Sequence, residues 1–354
     1  MSVTLERTGA SRTMKSGRNE KNGRRITWLI IFAVLLGVSI LASLTIGLKS
    51  LSPDSIVETL AGQSTPESHA IIFEQRIPRT LIGIACGAAL AVAGSLMQSL
   101  TRNPLAEPGL MGVNAGAAVA VILTVVLFGV LGIWQYMIAA AVGGAIAATV
   151  VYTLGRGRDG SIVKLALAGV AISAALVAVA QGLMLSNQDA FDEFRVWVTG
   201  SLEGRDISVA QAIAPVILVG LLLAFFVAPS INALSMGEEA AISLGVRVYQ
   251  TQNLTLLAVT LLAGAATAAI GPISFVGLAV PFVVRAIMGN DVRWVNYGSA
   301  LLGPVWLLMS DVLARVIMAT PEHPQETQVG IIATLAGAPL FLFLMTRRMV
   351  EALL

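Results

Sequence analysis

From Arg76 to Leu123 the chain reads RIPRTLIGIACGAALAVAGSLMQSLTRNPLAEPGLMGVNAGAAVAVIL. Two arginines around a proline open a long apolar, glycine-rich run, which ends at the polar segment TRNPLAEPG before a second apolar run begins. Pro104 and Pro108 exclude a continuous helix through this segment, because a proline lacks the backbone N–H and clashes with the preceding turn. The stretch therefore predicts a membrane hairpin whose turn is polar and stiff.

The composition is that of a protein embedded in a membrane. Of 354 residues, 56% are hydrophobic and only 12% are charged, and the mean hydropathy is +0.84. A soluble protein of this length carries far more surface charge. Since one spanning helix needs ~20 apolar residues, the apolar runs suffice for about eight to ten spans. The single cysteine, Cys86, excludes a disulfide framework within the chain.

We predict an all-α polytopic membrane protein of about ten transmembrane helices, with both termini in the cytoplasm. Residues 1–25 are predicted to be a disordered, basic cytoplasmic tail, and residues 26–354 a single transmembrane domain. The predicted spans are about 26–48, 78–100, 110–130, 133–154, 162–186, 207–228, 251–270, 276–288, 295–318 and 328–345.

The charge distribution gives this topology its orientation. With the N-terminus inside and ten spans, 16 of the 22 Lys and Arg residues lie on the inner side. The outer segments carry eleven of the 20 Asp and Glu residues. An excess of Lys and Arg in the cytoplasmic loops is the usual bias of multi-span proteins. The distribution of charged residues is therefore consistent with ten spans and both termini inside. It gives no indication of a nucleic-acid partner.

Few residues are suited to chemistry inside the predicted bundle. Asp311 and Arg315 are the charges that look embedded, and their i, i+4 spacing lets them pair on one helix face. An ion-coupled secondary transporter needs more buried carboxylates or histidines, so it is the less favoured of the transporter classes. Motifs of the HExxH, GxSxG and Walker types are missing from the sequence, which predicts neither catalytic nor metal-binding residues.

Two polar features suggest contacts with partners. The interruption at 229–250 contains GEEAAISLGVRV, a short amphipathic helix predicted to end at Gly245 on the cytoplasmic side. It is suited either to a soluble partner or to lipid headgroups. On the outer side, Arg76, Arg79 and Arg315 are suited either to lipid phosphate or to carboxylates of an extracytoplasmic partner.

The stretch from Arg76 onward closely resembles the signature of the iron–siderophore and vitamin B12 (FecCD-type) permease family, the ten-helix subunits of type II ABC importers. The block NPLAEPGLMGVNAGA is most similar to ferric-siderophore permeases of the ferric-enterobactin type. Further matching segments, in the family's order, are LALAGVAISA (165–174), LSMGEEAAISLGV (234–246), GPISFVGLAVPFVVR (271–285), DVLAR (311–315) and TLAGAPLFLFLM (334–345).

The resemblance implies a permease subunit of an ATP-driven importer for ferric-siderophore complexes in a bacterial inner or plasma membrane. It implies a second permease subunit (a copy or a paralogue), two cytoplasmic ATPases and an extracytoplasmic substrate-binding protein. The chain itself is expected to bind no cofactor, since ATP and Mg²⁺ belong to the ATPases. Cobalamin and haem remain alternative cargoes, and an ion-coupled secondary transporter remains the alternative from another class.

The resemblance also assigns roles to individual residues. Docking of the binding protein is implied for Arg76, Arg79 and Arg315. ATPase coupling is implied for Glu238, Glu239, Ala240, Ala241, Leu244 and Gly245. The cytoplasmic mouth is implied at Asn103, Pro104 and Leu105. The spans at 162–186 and 328–345 are expected to line the central path. One position departs from the family, since Phe282 stands where many members have histidine, and the sequence offers no physical account of it.

Overall fold

The structure is a computed structural model that describes the backbone over residues 3–47, 53–63, 65–155, 162–317 and 326–353. Within these ranges every regular element is a helix, which confirms the predicted all-α fold. The basic turn at 156–160 and the loop at 319–325 lie outside the described residues.

Fourteen α-helices follow one another in the described ranges. They are α1 (Val3–Thr45), α2 (Pro53–Leu60), α3 (Pro66–His69), α4 (Ile77–Thr101), α5 (Val113–Phe128), α6 (Ile133–Gly155), α7 (Ile162–Ser186), α8 (Gln188–Trp197), α9 (Ile207–Leu234), α10 (Glu238–Ser243), α11 (Val248–Ile270), α12 (Val276–Met288), α13 (Val292–Ile317) and α14 (Val329–Leu353). A π-helical segment, Ala70–Arg76, joins α3 to α4, and a short 3₁₀ helix, Pro108–Met111, precedes α5.

A helix lies within each of the ten predicted spans. Seven described helices are long and apolar enough to cross a membrane by length and composition: α1, the continuous helix from Pro66 to Thr101, α6, α7, α9, α11 and α13. Three shorter apolar helices, α5, α12 and the first part of α14, account for the other predicted spans. The chain is thus a multi-pass membrane protein, and the number of crossings stays a prediction.

Two helices run further than the sequence predicted. The helix α1 begins at Val3, well before the predicted start of the first span at about residue 26, and no proline interrupts residues 3–45. α9 was predicted to end at 228, but it continues through Pro229 to Leu234. Proline removes one helical hydrogen bond. Burial of Ile231 and Leu234 on the far side of Pro229 holds the last turns of α9 in place.

α4 lies at the centre of the bundle and packs against α9, α11, α12 and α13. Its glycines allow the close approach of neighbouring backbones. A Cβ atom on Gly94 would lie 1.7 Å from the carbonyl oxygen of Gly277 in α12, and one on Gly303 in α13 would lie 2.2 Å from the carbonyl oxygen of Gly87. Such contacts replace the water-driven packing of soluble proteins. The Gly- and Ala-rich composition of this span therefore determines how tightly the bundle closes.

One end of the bundle gathers residues that the sequence placed on the cytoplasmic side. Arg25 donates from Nε to the carbonyl of Met288 over 3.0 Å, and Arg102 donates to the carbonyl of Leu234. Asn232 near the end of α9 donates to Asp291 before α13 over 2.6 Å. The C-terminal ends of α4, α9 and α12 therefore meet at this end, as the predicted topology requires.

Candidate functional site

The first turn of α4 carries an arginine that is bound to a buried carboxylate. Arg79 donates from Nε to the two oxygens of Asp311 in α13 over 3.0 and 3.1 Å, and from one terminal nitrogen over 2.7 Å. The Asp311 side chain is 0% exposed and that of Arg79 is 12% exposed. A charge-assisted contact of this fork geometry is among the stronger polar interactions in proteins. It fixes the outer ends of α4 and α13 to each other.

Arg315 shares the same carboxylate and also caps α1. It donates from Nε to Asp311 over 3.1 Å, which realises the i, i+4 pair predicted from the sequence. It also donates to the carbonyls of Ser43 and Ile46 over 3.0 and 2.9 Å. The last carbonyls of a helix have no partner within it and favour a positive charge. Arg315 therefore ties the C-terminal end of α1 to α13.

Arg76 makes a second set of contacts with the end of α1. It is the last residue of the π-helical segment Ala70–Arg76 and donates to the carbonyls of Leu44 and Thr45, the latter over 3.1 Å. A π-helical turn widens the backbone, and such turns occur often at functional positions. Here the π-helical segment ends at Arg76, and Arg79 lies three residues further on, in the first turn of α4. Arg76 is buried, with 5% of its surface exposed.

Glu326 completes this arrangement from the segment before α14. Its Oε2 atom accepts from a terminal nitrogen of Arg79 over 2.6 Å, and its side chain is 10% exposed. Sequence reasoning passed over Glu326, because 247 residues separate it from Arg79 and no local motif marks it. We call Arg76, Arg79, Asp311, Arg315 and Glu326 the outer charge cluster. The structure thus brings the three predicted docking arginines together, but each is bonded within the chain; docking itself stays a prediction.

The predicted coupling segment forms a short helix with an exposed apolar surface. α10 contains Glu238 to Ser243, and the carbonyls of Ala241 and Ile242 accept from the N–H groups of Val246 and Gly245 over 3.0 and 2.9 Å. These two hydrogen bonds, with Gly245 at φ +81°, form a Schellman motif and confirm the predicted C-cap.

The faces of this segment differ in exposure. Ala241 is buried, whereas Ile242 and Leu244 are exposed by 61% and 65%, and the acidic residues Glu238 and Glu239 are also exposed. A buried alanine anchors the helix to the bundle, and the exposed leucine and isoleucine are available to a partner. This geometry suits a docked partner and a lipid-headgroup contact alike.

The predicted cytoplasmic mouth lies beside this helix. Asn103 accepts through Oδ1 from the N–H of Leu105 over 2.9 Å, so the NPL segment is a side-chain-stabilised turn. A cavity of about 450 Å³ joins the mouth to the coupling segment. Its lining includes Arg102, Asn103, Ile162, Leu234, Glu238 and Gln252. The two site groups that the sequence treated separately therefore border one space.

A carboxylate missed by the sequence analysis lies next to this turn. Glu107 follows the mouth and precedes the 3₁₀ helix, and burial raises the pKa of its carboxyl group. In the described part of the chain it makes no ion pair. A raised pKa favours the neutral form of this carboxyl group beside the mouth.

The structure also accounts for the unusual Phe282. Its ring lies in α12 and meets the ring of Phe341 in α14 edge to face, with centroids 5.3 Å apart. Both residues are buried. Aromatic pairs of this geometry contribute beyond their area of burial. The phenylalanine thus gives α14 an apolar attachment to α12 at this position.

Comparison with known proteins agrees with this architecture. The profile described as "FecCD transport family" matches residues 34–347. The chain is 39% identical over 317 residues to the ferric enterobactin transport system permease protein FepD of Escherichia coli (strain K12), covering 89% of this chain and 93% of that protein. It is 38% identical over 322 residues to the hemin transport system permease protein HmuU of Yersinia pestis, covering 89% and 94%.

A solved structure is also similar. It is described as an inward-facing conformation of a metal-chelate type ABC transporter, and it superimposes with a TM-score of 0.79 at 26% sequence identity. The match covers 90% of this chain and 98% of the solved chain. The helical arrangement described above therefore recurs in an ABC transporter.

Proposed function

Because the chain belongs to the FecCD transport family, we propose that it is the membrane-spanning permease subunit of an ATP-driven importer for ferric-siderophore complexes. The similarity to a ferric enterobactin permease over 93% of that protein's length supports the cargo class. The iron stays within its chelator, so the chain needs weak, reversible contacts with the chelate and no metal ligands of its own.

One observation carries the mechanism. The exposed helix α10 borders the same cavity as the predicted cytoplasmic mouth, since Glu238 lines it together with Arg102 and Asn103. A displacement of α10 by a soluble partner is thereby transmitted to the mouth without an intervening element. We infer that an ATPase docks on Ile242 and Leu244, and that ATP and Mg²⁺ bind to that ATPase.

The partner in the membrane is a second permease subunit. α7 and α14 present apolar side chains such as Leu167 and Leu335, which are 65% and 70% exposed in the single chain. Faces of this kind are covered either by lipid or by another helix. We propose that they line the translocation path between two permease subunits, each of which engages one ATPase.

The partner on the outer side is a substrate-binding protein that delivers the chelate. We propose that carboxylates of this protein dock at Arg76, Arg79 and Arg315. The internal bonds of these arginines support a preformed, rigid socket, because their guanidinium groups are held in one orientation before any partner arrives. ATP binding then shifts the opening from the outer to the inner face, and hydrolysis resets the transporter.

Uptake by the reconstituted transporter tests this proposal. The permease, the ATPase and the binding protein are placed in proteoliposomes, and accumulation of ⁵⁵Fe-labelled ferric enterobactin is measured. We expect accumulation that requires ATP and is lost with an ATPase whose Walker lysine is replaced. Accumulation that persists without the ATPase would instead identify an ion-coupled secondary transporter.

Haem is the second candidate cargo, because the hemin permease of Yersinia pestis is nearly as similar as the enterobactin permease. Competition with unlabelled haem, cobalamin and ferric enterobactin separates the candidates. We expect only the ferric siderophore to reduce ⁵⁵Fe accumulation when present in tenfold excess. Inhibition by haem or cobalamin instead would reassign the cargo while leaving the permease function intact.

A further inference from the structure

Arg79 holds two carboxylates that differ in how firmly they are attached. Asp311 receives three hydrogen bonds from Nε and one terminal nitrogen of Arg79, at 2.7 to 3.1 Å, and it also binds Arg315. Glu326 receives one bond, at 2.6 Å, on the other terminal nitrogen. Asp311 is part of a packed helix, whereas Glu326 lies in the non-helical segment before α14. Of the two, Glu326 is the one that can be exchanged.

Of Arg79, Glu326 and Asp311, only Arg79 and Glu326 keep side-chain surface exposed to solvent. The side chains of Arg79 and Glu326 are 12% and 10% exposed, while that of Asp311 has no exposure. An incoming carboxylate therefore reaches Arg79 where Glu326 binds it and not where Asp311 does. A guanidinium group can donate to a second carboxylate in place of the first when that carboxylate takes the same position.

The loss of Glu326 from Arg79 has a consequence for α14. Glu326 stands three residues before Val329, the first residue of α14. Among the described residues this segment is also held by two backbone hydrogen bonds, from Thr327 to the carbonyl of Ala314 over 3.2 Å and from Gly330 to the carbonyl of Gly200 over 3.3 Å, and by burial of Val329. The ion pair with Arg79 is thus the charged attachment of the outer end of α14 in the described structure.

We propose that Glu326 is an internal substitute for a carboxylate of the substrate-binding protein. It occupies Arg79 in the undocked chain, it is displaced when the partner's carboxylate binds, and its release loosens the outer end of α14. This inference rests on the proposed function and deepens it. It explains how docking at the outer face is coupled to a helix that lines the proposed path.

Neutralising Glu326 should strengthen, not weaken, the affinity of the chain for the substrate-binding protein. An acid that merely stabilises the socket weakens docking when it is neutralised. An acid that competes with the partner strengthens docking when it is neutralised, because the exchange no longer has to break a bond. Glu326→Gln should therefore bind the substrate-binding protein more tightly than the wild-type chain, by about tenfold if the ion pair contributes about 1.4 kcal/mol.

Affinity is measured with the complete transporter in lipid nanodiscs, using the binding protein loaded with ferric enterobactin and biolayer interferometry. The matched control is Glu203→Gln, which neutralises an exposed acid on another outer segment and should leave the dissociation constant within about twofold. Glu326→Asp keeps the charge but shortens the side chain, and it should tighten binding by less than Glu326→Gln. This variant also keeps the test available if Glu326→Gln fails to assemble.

Hydrogen exchange followed by mass spectrometry gives the second readout. In the wild-type transporter, addition of the binding protein should speed exchange in the peptide that covers residues 326–335. In Glu326→Gln the same peptide should exchange at the faster rate before any partner is added. This pattern identifies the release of α14 as the consequence of losing the Arg79 contact.

The outcomes separate this inference from the function on which it rests. If the wild-type transporter binds its partner and Glu326→Gln binds equally or more weakly, the substitution model is wrong and the permease function stands. If the wild-type transporter neither binds the partner nor accumulates the chelate, both proposals are wrong. Tighter binding of Glu326→Gln with faster exchange at residues 326–335 supports the inference.

Discussion

The replacement Asp311→Asn is the most direct test of the outer charge cluster. It preserves the size of the side chain but removes the charge that Arg79 and Arg315 share. Asp311 is completely buried, so water does not replace the lost interaction. Removing one partner of a buried ion pair costs about 3–5 kcal/mol of unfolding free energy.

The expected loss lies at the lower end of this range. Arg79 keeps its contact with Glu326, and Arg315 keeps its bonds to the α1 carbonyls of Ser43 and Ile46. Neither cation is therefore left wholly without an acceptor. We expect a loss of about 3 kcal/mol in the free energy of unfolding, measured by SDS titration in mixed micelles. Asp192→Asn, at an exposed position, is the control and should stay within about 0.5 kcal/mol of wild type.

A double variant tests whether the loss of stability comes from the buried positive charge that Asp311→Asn leaves without its carboxylate. Arg315→Met added to Asp311→Asn removes a cation that the first change left poorly compensated. The double variant should recover about 1 kcal/mol relative to the sum of the two single losses, since the residues are in direct contact. A loss below about 1 kcal/mol for Asp311→Asn, or strict additivity of the two changes, would refute the view that this cluster holds α1, α4 and α13 together.

Three further predictions concern other parts of the bundle. Gly94→Ala places a methyl group 1.7 Å from the Gly277 carbonyl and should destabilise the chain by about 3 kcal/mol or more in the same SDS titration, whereas Gly37→Ala, with no atom within 4 Å, should not. Leu244→Glu, at a residue 65% exposed, should abolish co-purification with the ATPase while leaving the unfolding free energy unchanged; retained co-purification would remove α10 from the docking surface. Partial burial raises the pKa of Asp291, but hydrogen bonds from Arg293 and Asn232 outweigh this effect and lower it. The stabilisation from Asp291 should therefore be complete at neutral pH and should decline as the pH falls below about 3.9. Asp291→Asn should remove this decline from the pH profile of the unfolding free energy.

The apolar helices, the turn between α4 and α5 and the C-cap of α10 could be predicted from the sequence because they depend on local pattern. An apolar run of spanning length has to satisfy its backbone hydrogen bonds internally, which makes each run a helix wherever it folds. The turn between α4 and α5 follows from Pro104 and Pro108, and the C-cap of α10 follows from Gly245 after an amphipathic stretch. The i, i+4 pair of Asp311 and Arg315 was likewise readable from spacing alone.

Local pattern was wrong about the end of α9, where two opposing effects had to be weighed. Pro229 argues for the end of α9, yet burial of the following turn continues the helix to Leu234. At this position the sequence supplies the local preference, and burial of Ile231 and Leu234 decides the outcome.

Only the tertiary structure decided which distant residues share a site. Arg79 meets Asp311 across 232 residues and Glu326 across 247, and Arg315 reaches the end of α1 across 272. Phe282 acquires its partner, Phe341, in the same way. The sequence by itself determined that this chain is a helical membrane protein and which arginines lie at its outer end. Whether those arginines are open or already bonded depends on how separate helices of the bundle pack, and no short-range pattern encodes that arrangement.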